Sequence, residues 1–403
     1  MQESNLNLTQ SKNIQRILFI DLARSIAIIL MLEGHFITLT FEDYTSMVAE
    51  LRSVGTSGSL IFDTWVKIRG FTAPLFFTIT GVVFVFLLTK NFKEENNTSF
   101  WKNKRVIKGL KRSGLLIFWG YFLQLNLKYF FYYLKGHFNP HVFSFHILQC
   151  IGFGIFLLIL LFFIHKTLKV NLTLIYLIAG TLIFSTFPFL DALTVNDYFP
   201  KNTFEFIQNM FHGPNSGFPL SPWLGFVCFG GFLGSLIARW ENKIQSLWFL
   251  FSAVALSILL VFYGRSVGYL LDILMQTNNK FFQKDAWVYD RLGEVVLLMS
   301  ILMIITKIFK VKDSLFTKFG QNTLSIYIIH VIVLYGAITG YSLKDILKDE
   351  LNSMQAIIGA GLFIFIFALY LKFDAIIHQS LNKVLQKFIR FISIMKYKSN
   401  AKD

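Results

Sequence analysis

The sequence predicts an all-α, polytopic membrane protein with about ten transmembrane helices in one bundle. Of its 403 residues, 54% are hydrophobic, only 15% are charged, and 47 are phenylalanine. The mean hydropathy is +0.56. This composition is typical of helical membrane proteins and argues against a soluble domain.

Ten apolar stretches have about the ~20 residues that a helix needs to cross the hydrocarbon core of a bilayer. The predicted spans are 17–40, 70–89, 113–134, 144–165, 170–190, 221–238, 245–264, 291–309, 322–342 and 353–372. They define a membrane domain over 16–372, between a polar N-terminal segment (1–15) and a basic tail (373–403). We expect no cleaved signal peptide, because the first span is too long for a signal core. The tail has the pattern of an amphipathic helix that lies on the inner membrane surface.

The distribution of basic residues predicts the orientation. With the N-terminus inside, roughly two thirds of the 38 Lys and Arg residues fall in cytoplasmic segments, as the positive-inside rule requires. Both termini are then cytoplasmic. The net charge of +15 is explained by this orientation, so no nucleic-acid partner is predicted. Cys150 and Cys228 lack the spacing of a metal site or a disulfide framework and are predicted to be packing residues, and no metal is expected.

The first span carries ionisable residues on one helix face. Arg24 and His35 are eleven positions apart, which at about 100° per residue brings their side chains within roughly 20° of one direction. Asp21, three positions before Arg24, falls on the same stripe, whereas Glu33 points roughly the opposite way. Charged groups inside a span are costly and usually face a protein interior or a water-filled cavity. We therefore expect a functional site along this face, with Arg24 toward the cytoplasm and His35 toward the outside.

A basic loop precedes the third predicted span. Arg105, Lys108 and Arg112 have helical spacing and can form one basic face. Two interpretations are open: a topology determinant near anionic headgroups, or a docking site for a phosphate-bearing cofactor from the cytosol. The loop contains no glycine-rich phosphate motif.

Three further residues are candidates for substrate binding on the external side. Arg69 lies at the mouth of the second span, where it is either an interfacial anchor or a ligand for an acidic group. Trp223 lies at the interface that begins the sixth span, a common position for anchoring tryptophan. Arg291 begins the eighth span and has the spacing for an ion pair with Glu294.

The ninth span contains two polar residues that we assign to cofactor binding, Asn322 and His330. His330 is roughly 12 Å beyond Asn322 along the helix axis, by the ~1.5 Å rise, and so lies near the middle of the membrane. An imidazole at that depth is either a hydrogen-bonded core residue or part of a reaction cavity.

The first span also resembles a known family motif. Arg16, Asp21, Arg24 and His35 form an R-x4-D-x2-R-x10-H pattern that resembles the opening motif of the transmembrane acyltransferase superfamily, which includes the acyltransferase type 3 proteins. Further blocks resemble the catalytic domain of heparan-alpha-glucosaminide N-acetyltransferase and its bacterial relatives. These blocks, in chain order, are W-x3-RGFTAPLFF at 65–77, LQCIGFG at 148–154, FPLSPWLGF at 218–226 and the segment 322–330.

The resemblance implies acyl transfer from cytoplasmic acyl-CoA, usually acetyl-CoA, to a hydroxyl or amine of a glycan or glycolipid on the far side of a bacterial inner membrane. It implies that His35 is the catalytic histidine and that Arg24 is its partner in positioning the donor. We assign Asp21 to the same catalytic site, as the residue that pairs with Arg24 and lowers the cost of burying its charge. Histidine also suits this chemistry because it supplies a base near neutral pH. One departure matters: the lysosomal enzyme uses a histidine between its first two spans, and residues 36–69 contain none. Glucosamine specificity is therefore not predicted.

Two other classes of protein remain as alternatives. A transporter or channel would use the Asp21–Arg24–His35 stripe as a polar path, but it should show helices broken by Gly and Pro in matching halves, which the sequence lacks. A structural or partner-binding membrane protein would have no tunnel from the cytoplasmic face to His35. The acceptor, and whether the protein forms a homodimer, are left open.

Overall fold

The computed structural model describes residues 18–94, 99–137, 140–192, 203–211, 213, 215–240, 246–277, 280–309 and 312–373. Within these ranges the chain is helical, and its β-type pairing is limited to isolated bridges. Arg16, the N-terminal segment and the tail from residue 374 onward lie outside the described residues.

The helices are numbered here in chain order. They are α1 (Leu18–Thr40), α2 (Tyr44–Val54), α3 (Leu60–Arg69), α4 (Thr72–Glu94), α5 (Lys104–Phe122), α6 (Phe130–Leu134), α7 (Ile147–Leu168), α8 (Leu172–Ala192), α9 (Glu205–Met210), α10 (Leu220–Arg239), α11 (Leu247–Leu274), α12 (Trp287–Ile308), α13 (Leu315–Gln321), α14 (Thr323–Tyr335), α15 (Lys344–Leu347) and α16 (Ser353–Phe373).

The helices confirm the predicted class, a polytopic all-α membrane protein. Seven segments in the described part of the chain are long and apolar enough to cross a bilayer: α1, the continuous stretch formed by α3 and α4, and α7, α8, α10, α11 and α16. Each overlaps a predicted span, although the stretch of α3 and α4 begins ten residues before the predicted 70–89 and α11 ends ten residues after the predicted 245–264.

Two of the other three predicted spans differ from the structure, and the third is a helix that carries charges near its ends. The span at 113–134 ends as a helix at Phe122, after which the chain turns before the short helix α6. The span at 322–342 begins where it was predicted but is only the 13-residue helix α14, because the chain leaves the helix at Gly336 with a left-handed φ of 69°. At ~1.5 Å per residue such a helix is too short to cross the core alone. The span at 291–309 is a 22-residue helix, α12, but charged side chains occur near both of its ends.

Close glycine contacts pack α4 against α10. A Cβ on Gly230 would overlap the carbonyl oxygen of Thr78, and one on Gly81 would overlap that of Val227. Small residues permit this approach of two backbones, which is a common basis of helix association in membranes. Cys150 and Cys228 are free and buried in this core, as predicted for packing residues.

Helix α1 is held by contacts with α13. A Cβ on Gly320 would overlap the Asp21 carbonyl oxygen, so the two backbones touch. The Ser25 hydroxyl donates to the Phe316 carbonyl over 2.7 Å and accepts the Gly320 N–H over 3.0 Å. These contacts fix where the polar face of α1 points.

Candidate active site

Two cavities meet beside the polar face of α1. The first, the basic cavity, has a volume of about 600 Å³ and includes Arg24 in its lining. The second, the histidine cavity, has a volume of about 920 Å³ and includes His35. The two linings share a wall formed by Met31, Phe76, Ile147, Leu148 and Tyr327. The eleven-residue spacing of Arg24 and His35 therefore places them in neighbouring compartments.

The basic cavity collects cations from two helices. Arg105, Lys108, Lys111 and Arg112 of α5 line it together with Arg24 of α1, and none of its described lining residues is Asp or Glu. The predicted basic face of Arg105, Lys108 and Arg112 therefore exists. The Arg105 Nε is buried and has no hydrogen-bond partner among the described residues. A buried donor without a partner favours a ligand or solvent atom at that place.

Arg24 is anchored on both sides. Its guanidinium donates to the Thr323 hydroxyl over 3.2 Å, and Nη1 lies 4.0 Å from the Asp21 carboxylate. Asp21 is outside the lining of both cavities. Thr323, Leu324 and Tyr327 of the segment 322–330 line the basic cavity, whereas Asn322 does not. The Asn322 amide donates instead to the Lys318 carbonyl over 3.0 Å.

His35 is paired with His330. The Nδ1 atom of His35 lies 3.1 Å from the Nε2 atom of His330, and the Nδ1 atom of His330 lies 3.3 Å from the Ile326 carbonyl oxygen. A carbonyl oxygen only accepts, so His330 carries its proton on Nδ1 and offers the lone pair of Nε2. His35 then donates from Nδ1. Its Nε2 is left with a free lone pair, which is the state that a general base requires.

The two histidines occupy different positions relative to the cavity. His35 lines the histidine cavity, while His330 is fully buried and lies outside the lining of both cavities. The structure thus brings His330 against His35, whereas the sequence suggested that it contacts the cofactor. Tyr335 packs edge-on against the His35 ring at 5.9 Å between centroids.

Arg69 enters the histidine cavity from α3. Its Nη1 donates to the Tyr44 hydroxyl over 2.8 Å, and the guanidinium carbon lies 5.6 Å from the centroid of the Trp65 ring. The side chain crosses Gly34 so closely that a Cβ there would lie 2.6 Å from Arg69 Nε. Glu33, on the other face of α1 as predicted, accepts the Trp65 indole N–H.

The two remaining substrate-binding candidates lie outside both cavity linings. Arg291 forms the predicted ion pair with Glu294 over 2.6 Å and donates to the Lys67 carbonyl over 3.0 Å. Trp223 packs in an aromatic cluster, with ring centroids 4.9 Å from Phe218 and 5.2 Å from Phe77. These contacts stabilise the fold. Neither side chain lines a cavity, so the predicted roles in substrate binding stay predictions.

Sequence reasoning missed several polar residues of the site, among them Thr323, Tyr327 and Gln124. Tyr327 belongs to the shared wall, and Gln124 lies in the turn that follows α5. Tyr327 and His330 are three positions apart on α14, so the helical period would have grouped them once His330 was chosen. Gln124 has no such signal, because its contribution depends on where α5 ends.

The apolar helices, with two adjoining cavities beside α1, define a polytopic integral membrane protein. A family model described as an acyltransferase domain matches residues 17–373, which is nearly the whole chain and includes both cavities. The chain therefore belongs to the acyltransferase type 3 superfamily and is a membrane acyltransferase. A comparison with curated proteins gave no match.

Proposed function

We propose that this acyltransferase moves an acetyl group from acetyl-CoA in the basic cavity to a hydroxyl or amine of an acceptor in the histidine cavity, with His35 as the general base. The observation that carries the proposal is the shared wall between the two cavities, with Arg24 lining one and His35 lining the other. The acceptor is a glycan or glycolipid, and the protein lies in a bacterial inner membrane.

The charge of the basic cavity supports an anionic donor. Coenzyme A carries several phosphate charges, and Arg and Lys are the side chains that bind phosphate in proteins. Five cations line this cavity, and its described lining contains no carboxylate to neutralise them. Its predicted cytoplasmic position matches the compartment that supplies acyl-CoA.

The geometry of α1 supports separate roles for Arg24 and His35 along one helix. Arg24 and His35 are separated by about 16 Å along the axis at ~1.5 Å per residue. The pantetheine arm is extended and carries amide groups, so Arg24 can bind a polar part of it while the thioester reaches the shared wall. Acceptor and donor then meet where the two cavities adjoin, next to the residues that line both, which orients them for reaction.

The chemistry follows from the hydrogen-bond chain. His35 Nε2 removes the proton of the acceptor O–H or N–H as the acceptor atom attacks the thioester carbonyl carbon. The new ester or amide bond forms, the carbon–sulfur bond breaks, and the CoA thiolate leaves and takes up the proton that His35 held. His330 keeps the His35 ring in the tautomer that exposes its Nε2 lone pair.

The same lone pair can instead attack the thioester and carry the acetyl group before passing it on. The two routes share every residue named above. Rapid quenching of the protein with radiolabelled acetyl-CoA, without acceptor, separates them: label that is bound to His35 supports the carrier route, and its absence supports the base route.

The test of the function uses the full-length protein in detergent or liposomes. Acetyl-CoA should raise the thermal midpoint of unfolding, and Arg24→Ala should reduce that shift, with Arg265→Ala as the matched control on an exposed ion pair. His35→Ala should keep the shift and lose transfer, with His137→Ala as the control at an exposed histidine. No shift at saturating acetyl-CoA would favour a transporter, and retained transfer in His35→Ala would overturn the assignment of His35.

The closer resemblance to the heparan-alpha-glucosaminide N-acetyltransferase family stays a prediction, and it does not extend to glucosamine specificity. Mass spectrometry of envelope glycans and lipids from a deletion strain, compared with the parent, would identify the acceptor. A missing acetyl group on an oxygen or on a nitrogen would also decide between O- and N-transfer.

A further inference from the structure

We propose that the acceptor carries a negatively charged group, a phosphate or a carboxylate, in addition to the hydroxyl or amine that is acylated. This inference rests on the proposed function, because it concerns the substrate class of the histidine cavity. It is carried by the charges and the unpartnered polar atoms of that cavity.

The histidine cavity is lined by cations from three separate elements. Arg52 comes from α2, Arg69 from α3 and Lys344 from α15, and none of the described lining residues is Asp or Glu. Glu33 is within electrostatic reach of Arg69 and balances part of its charge. Arg52 and Lys344 are exposed at the rim. A cleft lined by one sign of charge concentrates ligands of the opposite sign.

Arg69 is held in one orientation. The Tyr44 hydroxyl fixes Nη1, the Trp65 ring covers the guanidinium, and the stem lies across Gly34. A guanidinium with a restrained orientation loses less entropy when it forms a forked pair with a carboxylate or phosphate. Arg69 therefore supplies a built anion-binding group.

Gln124 provides a neutral contact for the same ligand. Its Nε2 donates to two carbonyl oxygens, that of Gly120 over 3.1 Å and that of Ser144 over 2.7 Å. Because carbonyls only accept, the amide cannot be turned around. Its Oε1 is buried and has no partner among the described residues. This oxygen can only accept, so it suits a ligand O–H or N–H.

Thr72 adds a second unpartnered atom to the lining. Its Oγ1 is buried and makes no hydrogen bond within the described ranges. Leaving a buried polar atom without a partner is unfavourable, so such atoms usually meet a ligand or an ordered water. A ligand with an acidic group and several hydroxyls satisfies the cations, Gln124 and Thr72 together. Sugar phosphates and sugar acids have this chemistry.

The test compares neutral and anionic probes of one sugar. Glucose, glucuronate and glucose 6-phosphate are added to the full-length protein, and the shift in thermal midpoint is measured without acetyl-CoA. Transfer of radiolabelled acetyl from acetyl-CoA is measured separately. We expect the two anionic probes to stabilise the protein and to show kcat/KM at least about tenfold above glucose. No stabilisation by either anionic probe, or equal transfer to glucose, would overturn the proposal.

Variants that remove positive charge test whether the cations of the histidine cavity cause the preference for anionic sugars. Arg52→Gln with Lys344→Gln changes only exposed side chains and should lower the anion preference, and adding Arg69→Gln should reduce it to less than about threefold. Lys348→Gln is the matched control, since Lys348 is exposed on the same segment and outside both cavity linings. An anion preference that survives in the folded triple variant would overturn the proposal.

The proposal and the proposed function fail in different ways. Absence of any acetyl-CoA shift or turnover overturns the proposed function, while the binding of anionic sugars is measured without the donor. A final arm distinguishes two sources of the anion: glucose 6-phosphate in solution, and polyprenyl-phosphate-linked glucose in phosphatidylcholine vesicles. Preference for the second source makes the acceptor lipid-borne.

Discussion

The Nδ1 atom of His35 lies 3.1 Å from the Nε2 atom of His330, although the two residues are 295 positions apart in the chain. The pair continues to the Ile326 carbonyl and so has a defined direction of proton donation. The imidazole ring of His35, which lines the histidine cavity, is therefore oriented by the imidazole ring of His330, which does not. This makes His330 a positioning residue in the proposed reaction.

Replacement of His330 should weaken the reaction more than donor binding. His330→Phe removes the acceptor for His35 Nδ1, so the His35 ring is free to rotate, and we expect kcat to fall by about 100-fold, as for other small misplacements of reacting groups. The thermal shift with acetyl-CoA should stay within about a degree of wild type. His330→Gln, whose side-chain oxygen can accept from His35, should restore part of the rate. Equal losses in both variants would contradict a positioning role.

Neutralising the basic cavity should weaken donor binding. Arg105→Gln combined with Arg112→Gln removes two of its cations, and we expect the Kd for acetyl-CoA to rise by about tenfold or more, as for the loss of charge-assisted hydrogen bonds. Added salt should weaken binding to wild type more than to the double variant, since fewer charges remain to be screened. Lys102→Gln, at an exposed residue outside this cavity, is the control. An unchanged Kd would mean that the phosphate groups of acetyl-CoA bind outside the basic cavity.

A methyl group at Gly320 should separate α1 from α13. The added Cβ would meet the Asp21 carbonyl oxygen and lie 2.8 Å from Ser25 Oγ. We expect Gly320→Ala to lower the free energy of unfolding by about 1–3 kcal/mol, the usual range for overpacking. Gly361→Ala is the matched control, because its Cβ would enter open space on α16. Unfolding of both variants at the wild-type temperature would contradict the close contact.

The stability of the turn before α12 should depend on pH. Burial and the neighbouring Asp191 raise the pKa of Asp285 to about 6, against an opposing effect of Lys284. An acid whose folded pKa is raised destabilises the fold above that pKa and ceases to do so below its unfolded pKa near 4. Asp285→Asn should therefore stabilise the protein at pH 8 by at most about 1 kcal/mol after solvent screening.

The gain from Asp285→Asn should shrink as the pH falls from about 6 to about 4 and vanish below that. Thermal unfolding of both proteins across pH 4–8 measures it. A gain that is the same at every pH would mean that the substitution acts through packing and not through charge.

Those parts of the site that lie on one helix were predictable from the sequence. The eleven-residue spacing placed Arg24 and His35 on one face of α1, and the spacing of Arg105, Lys108 and Arg112 gave the basic face of α5. In both cases the helical period alone fixes which side chains share a direction. The overall class of protein was predictable because the apolar composition indicates helices that lie in a bilayer.

Contacts between helices were not predictable from the same signals. The pairing of His35 with His330 depends on how α1 and α14 pack, and hydropathy does not indicate which helices pack together. The end of α14 at Gly336 was missed because the residues that follow it, 337–340, are apolar or small and extend the apolar stretch. The aromatic environment of Trp223 was missed because an interfacial tryptophan and a packed one look alike in the sequence.

The shortness of α14 has a mechanical consequence. Thr323 at its start contacts Arg24, and His330, seven positions later, contacts His35. One rigid rod of 13 residues thus supports the guanidinium in one compartment and the imidazole in the other. A tilt of α14 would therefore break the contact with Arg24 and the contact with His35 at the same time. The donor side and the acceptor side of the site are thus coupled through this one short helix.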